Sequence, residues 1–85
     1  MNARVYKKIG VLGGMGPKAT ADYYMRVIKL FQKNLNAKYD SDFPEFVINS
    51  IPLPDVVELN VNDSEIIDFL VRGCKLLESA GTDFI

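Results

Sequence analysis

One stretch constrains this chain more than any other: Ile9-Gly10-Val11-Leu12, then Gly13-Gly14-Met15-Gly16, then Pro17. A short apolar run without alternation reads as a strand covered on both faces. Glycines let the backbone turn where other residues resist it. Proline suits the first position of a helix, where its missing N–H is not needed. The stretch therefore predicts a buried strand, a tight turn and a helix start. Ala19, Tyr23, Tyr24, Val27, Ile28, Phe31 and Leu35 follow at steps of three and four, with Arg26, Lys29 and Lys33 on the other side. That stripe predicts an amphipathic helix from Pro17 to Asn36.

A second strand and helix follow. Lys38 to Pro44 is polar and turn-prone, and Phe46-Val47-Ile48 predicts a second buried strand running into Asn49-Ser50. Ile51-Pro52-Leu53-Pro54-Asp55 cannot be regular structure, because two prolines deny donors and push the residues before them towards extended forms. A link of about a dozen residues leads onward, and long ordered loops in compact α/β domains often carry function. Asn62 and Glu65 have the spacing of a capping box. Ile66, Leu70, Cys74 and Leu77 form the next helical stripe, widened by Ile67 and Val71. Gly81 suits the left-handed position after a helix, and Thr82-Asp83-Phe84-Ile85 opens a third strand.

Strand, helix, strand, helix, strand implies an α/β fold: a parallel βαβαβ unit in three layers, with right-handed crossovers. No internal domain boundary, repeat or low-complexity segment interrupts it. Residues 1–85 are expected to be the N-terminal part of a single α/β domain, truncated in strand three, since half of a doubly wound sheet leaves an open apolar edge.

Composition narrows the function classes. Ten basic against eleven acidic residues give a net charge of -1, so no electrostatic footprint for nucleic acid or an anionic membrane is present. Arg4, Lys7 and Lys8 read as a solvated flank. No stretch nears the roughly 18 apolar residues of a membrane span, and the start lacks the apolar core of a signal peptide. Cytoplasm is the expected location. The single cysteine, Cys74, excludes an internal disulfide and any Cys-rich metal site. Histidine is absent, which removes the commonest general base and metal ligand from these residues.

In open parallel sheets, ligands bind beyond the carboxyl ends of the strands. Three segments meet that condition: Gly13 to Pro17, Asn49 to Asp55, and the residues that would follow Ile85. The glycine turn can bring backbone close to a ligand, and the helix at Pro17 offers free N–H groups to an anion. Gly14-Met15-Gly16-Pro17-Lys18-Ala19 satisfies G-x-G-x-x-A, the dinucleotide fingerprint. That fingerprint expects an acid about 20 residues on, at the end of strand two; here the strand ends in Asn49-Ser50, well beyond that distance. No G-K-[ST] is present, so a Walker loop is excluded. A carboxylate or anion site, a purely structural turn and a dinucleotide site stay open as readings of the turn.

The run from Ile9 to Pro17, continued by Ala19-Thr20-Ala21-Asp22, resembles the opening of the aspartate/glutamate racemase family. Asn49-Ser50-Ile51-Pro52-Leu53-Pro54-Asp55 resembles that family's Asn-rich strand end and Pro-Asp pair. Leu76 to Ile85 resembles the helix and strand leading into its first Cys-Asn-Thr motif. The resemblance spans essentially the whole chain. It implies half of a flavodoxin-like racemase domain, from a family in which homodimers are common. The implied activity is racemisation of an amino acid without pyridoxal phosphate or any other cofactor, using two cysteines as acid and base.

On that resemblance no catalytic residue lies in these 85 residues. Both cysteines lie outside them, and Cys74, within the second helical stripe, is a small hydrophobe and not their equivalent. Met15 and Gly16 are implied at the substrate through their backbone, with Asn49 and Ser50 at the amino-acid head group. Asn49 and Ser50 also fit a role in capping the loop's backbone, Thr20 a bond back to its own helix, and Asp55 the ordering of the proline-rich loop. Aspartate-specific members carry an Arg after the Pro-Asp pair, suited to gripping a side-chain carboxylate. Here Val56 and Val57 follow instead, and Arg72 and Lys75 are expected to face solvent. The substrate side chain therefore stays open.

Overall fold

The structure is a computed structural model and describes residues 6–53 and 62–85. Arg4, Val5, Pro54, Asp55, Val56 and Val57 lie outside the described residues. Strand β1 spans Ile9–Gly13 and helix α1 spans Pro17–Asn34. A single 3₁₀ turn follows at Asp40–Asp42, then strand β2 at Phe46–Ser50 and helix α2 at Asp63–Ser79. β1 and β2 pair in parallel, with Ile9 opposite Phe46 and Gly13 opposite Ser50. The α/β alternation and parallel pairing expected from the sequence are both present. Where a third strand was expected, Phe84 makes a single parallel bridge to Ile9. Gly10 N donates to the Phe84 carbonyl at 2.8 Å and Asp83 N to the Lys8 carbonyl at 2.8 Å.

Strand geometry places the two helices on opposite faces, because alternate side chains point to opposite sides. Gly13 packs against Thr20 of α1, and Phe46 sets its ring edge-on to Tyr24 of α1 at 5.3 Å. Leu12 and Asn49, on the other parity, meet Gly73 of α2. The register pairs Leu12 with Asn49, so both strands present one face to each helix. In the described residues α1 and α2 thus lie on opposite faces of the sheet, α2 packed on it more closely than α1.

Helix ends follow local chemistry. α1 stops at Asn34, two residues short of the expected Asn36, because Asn36 takes a left-handed φ of 56°. Asn is one of the few residues that tolerate that conformation. Leu35 N and Ala37 N both donate to the Phe31 carbonyl there, at 3.1 and 3.2 Å. At the start of α2, the Asn62 side chain accepts from Glu65 N at 3.0 Å, the Asn62 half of the capping box expected there. Its end is a Schellman motif around Gly81, at φ 81°. Gly81 N donates to the Glu78 carbonyl at 3.0 Å and Thr82 N to the Leu77 carbonyl at 3.4 Å.

The expected stripes are only partly used. Val27, Ile28 and Phe31 of α1 are half-buried, while Ala19, Tyr23, Tyr24 and Leu35 are exposed. On α2 the packed face is Ile66, Phe69, Leu70, Gly73, Cys74 and Leu77. Ile67 and Val71, expected to widen it, are 57% and 44% exposed. The reason is geometric: a two-stranded sheet is too narrow to cover a wide apolar arc. Leu77 is fully buried, with Ala37 and Ile51 nearly so.

Candidate functional site

The carboxyl ends of β1 and β2 lie side by side. Gly13 stands opposite Ser50, and Ile51 N continues the ladder by donating to the Gly13 carbonyl at 2.9 Å. Beyond this point the chain turns sharply on both sides. After β1, Gly14 and Gly16 hold φ of 96° and 86°, values that glycine alone adopts without penalty. After β2, Leu53 N donates to the Ile51 carbonyl at 3.0 Å, a γ-turn centred on Pro52.

The glycine turn is clamped from two directions. A β-carbon on Gly14 would collide with the Ile51 backbone carbonyl and nitrogen. On the other side Gly14 N donates to Thr20 Oγ1 at 3.0 Å, and the Thr20 side chain fills the space where a β-carbon of Gly13 would lie. Thr20 therefore does not bond back to its own helix through its hydroxyl, as its position suggested; it braces the turn.

α1 begins at this turn with Gly16 as N-cap in the left-handed conformation and no side-chain cap. Its first turn contains Pro17 and Lys18 and no acidic residue. The partial positive charge of a helix N-terminus is therefore uncompensated by any carboxylate of that turn. Met15 is 50% exposed at the tip. An apolar cleft of about 320 Å³ opens beside it on the α1 face, lined by Val11, Gly13, Met15, Thr20 and Tyr23 among others.

At the β2 tip the two candidate polar residues point to opposite faces. Ser50 is exposed and shares the α1 face with Phe46 and Ile48. Asn49 is half-buried on the α2 face, where its Nδ2 donates to the Gly73 carbonyl at 3.2 Å. That bond ties β2 to the middle of α2, and it engages the amide end of Asn49 but not its Oδ1. Met15, Gly16 and Ser50 thus share one end of the sheet, while the Asn49 side chain lies to the side of it.

Elsewhere two surface ion pairs form among the described residues. Arg72 bonds to Asp68 at 3.0 Å, lies over the Phe69 ring at 4.9 Å, and faces solvent as expected. Lys8 pairs with Glu45 at 3.0 Å and its backbone N donates to the Asp83 carboxylate at 2.6 Å. It is therefore engaged at the start of β1, not merely a solvated flank. Cys74 is free and half-buried within α2. No group of three or more His, Cys, Asp or Glu side chains converges among the described residues. No helix there is long and apolar enough to cross a membrane.

Sequence reasoning missed Thr20 as a brace, Ile51 as the opposing wall and Gly73 as the seat of α2. Only Gly73 left a signal. A glycine inside a helical stripe costs about 1 kcal/mol against alanine and asks for a packing reason.

With this geometry in place, the chain can be compared with known proteins. It is 38% identical over 77 residues, 91% of its length, to the broad specificity amino-acid racemase RacX of Bacillus subtilis (strain 168). This chain is a homologue of an amino-acid racemase. The match supports the resemblance read from the glycine turn and the two later segments. The chain spans about a third of that racemase, 34% of its length. No protein-family profile matches the chain, and no solved structure does.

Proposed function

We propose that these residues supply one wall of the substrate site of an aspartate/glutamate-type amino-acid racemase, which works without pyridoxal phosphate. The observation that carries the reading is the homology to a broad specificity amino-acid racemase along 91% of the chain. The local geometry supports it. A helix N-terminus without acidic neighbours opens beside two adjoining strand tips, and such an end favours a carboxylate.

In this reading the amides of Met15 and Gly16 face the substrate's carboxylate, and Ser50 meets its head group. Asn49 contributes through its Oδ1 while its Nδ2 holds α2. Racemisation removes the α-proton from one face of the substrate and returns a proton to the other. Two thiols outside these residues perform it, one as thiolate base and one as thiol acid. A thiolate needs a lowered pKa, which helix N-termini and nearby cations provide. The carbanion's charge falls on the carboxylate, where fixed donors stabilise it. Donors at the glycine turn would act at that atom group.

The test is α-proton exchange. The full gene product is incubated in heavy water, without added cofactor, with a panel of amino acids that includes L-aspartate and L-glutamate. Deuterium is expected to enter the α position, with loss of exchange after thiol alkylation. Exchange that survives alkylation would remove the two-thiol chemistry, and silence towards every amino acid would remove the racemase reading.

A further inference from the structure

Thr20 is the side chain on which the shape of the glycine turn depends, and its place suggests more than packing. Its Oγ1 accepts from Gly14 N at 3.0 Å, and its Cγ2 and Oγ1 fill the space beside Gly13, 2.6 and 2.7 Å from where a β-carbon would stand. The Ile51 backbone closes the opposite side of Gly14. The first amide of the turn is thus taken by Thr20. The next two, of Met15 and Gly16, have no acceptor among the described residues. The turn is held at its root and open at its tip.

We infer that Thr20 is a positioning residue for substrate binding: its hydroxyl fixes the Gly14 peptide so that the Met15 and Gly16 amides keep a common direction towards the substrate carboxylate. The inference rests on the racemase reading above. It acts through the backbone, because the bond that the Thr20 oxygen makes is the one accepted from Gly14 N. Valine keeps the shape of threonine but has no acceptor, so Thr20→Val removes the bond and little volume. Serine keeps the acceptor and loses only a methyl group.

The experiment compares wild type, Thr20→Val and Thr20→Ser in the full gene product. It follows steady-state racemisation of the best substrate from the exchange panel and amide hydrogen exchange at Gly14, Met15 and Gly16. Thr20→Val is expected to raise KM by about tenfold to about a hundredfold, the scale of a small misplacement of a binding group. kcat should fall as well, since the same donors meet the carbanion's charge, and Thr20→Ser should return KM to within about threefold of wild type. Gly14 exchange should accelerate in Thr20→Val and recover in Thr20→Ser.

A merely structural role would lower kcat through the loss of folded enzyme and leave KM in place; that outcome overturns the inference. If Thr20→Val does not fold, Thr20→Ser decides alone: a KM near wild type with Gly14 still protected supports it, and a KM raised tenfold overturns it. If wild type itself is silent towards every amino acid, the racemase reading has failed. Thr20 is then a brace with no substrate to position, whatever the amide exchange shows.

Discussion

At Gly14 and Gly16 the same backbone conformation has two different causes, and a pair of substitutions separates them. Both hold a positive φ, 96° and 86°, which costs an L-residue about 1–2 kcal/mol. A β-carbon on Gly16 would meet only Ala19, at 3.8 Å, whereas one on Gly14 would strike the Ile51 backbone. Gly16→Ala in the full gene product should therefore cost about 1–2 kcal/mol. Gly14→Ala should cost at least about 2 kcal/mol more, because backbone on both sides must move. Urea midpoints at unchanged slope measure both, and equal losses would show that the Ile51 wall yields easily. The need for glycine at these positions was legible in the sequence, since Gly13-Gly14-Met15-Gly16-Pro17 permits little else than a turn into a helix. The partners were not: Thr20 is four residues past Gly16, but Ile51 is 35 residues away, and only the fold brings it there.

On the scale of elements, Gly73 decides how α2 sits. Its buried position lets the Leu12 side chain and the Ile51 methyl approach the helix, and its carbonyl receives the Asn49 amide. Helix propensity alone favours alanine there by about 1 kcal/mol. A β-carbon would lie 2.6 Å from Leu12 Cδ1 and 3.2 Å from Ile51 Cγ2, and overpacking of that kind costs about 1–3 kcal/mol. The two effects oppose, and the close approach to two neighbours at once should win. Gly73→Ala is expected to destabilise the full gene product by about 1 kcal/mol net, read from its urea midpoint. A stabilised variant would mean that Leu12 swings away freely.

Element positions were legible because their signals are local. Pro17 and Gly81 mark where α1 starts and α2 ends, and Asn62 caps α2 through Glu65. The faces were less legible: a 3.6-residue stripe tells which arc of a helix is apolar, not how much of it a partner will cover. Tyr23 and Leu35 of α1, and Ile67 and Val71 of α2, belong to such arcs and lie exposed. The site shared this limit. Met15, Gly16 and Ser50 fall at one sheet end because strand polarity dictates it. The turning of Asn49 towards α2 depends on Gly73, which no local pattern connects to it.

For the molecule as a whole, these exposures leave both described helices only partly covered. Ala37, Ile51 and Leu77 are the hydrophobic residues buried among the described ones. Hydrophobic stabilisation scales with apolar area removed from water, at about 25 cal/mol per Å², and it must exceed the entropy of ordering each residue, about 1–2 kcal/mol. With half-covered helices the first quantity is small while the second is undiminished. The isolated 85-residue chain is therefore expected to bind a hydrophobic dye and to unfold in urea over a broad range, without racemising any amino acid. On the racemase reading, a longer protein that contains these residues should unfold more steeply and bind far less dye. Cooperative domains of this size show slopes of at least about 1 kcal/mol/M in urea. A transition that steep in the isolated chain, with no dye bound, would mean that α1 and α2 already bury enough of the sheet to stand alone. The exposed stripes would then be ordinary surface, not faces in need of a partner.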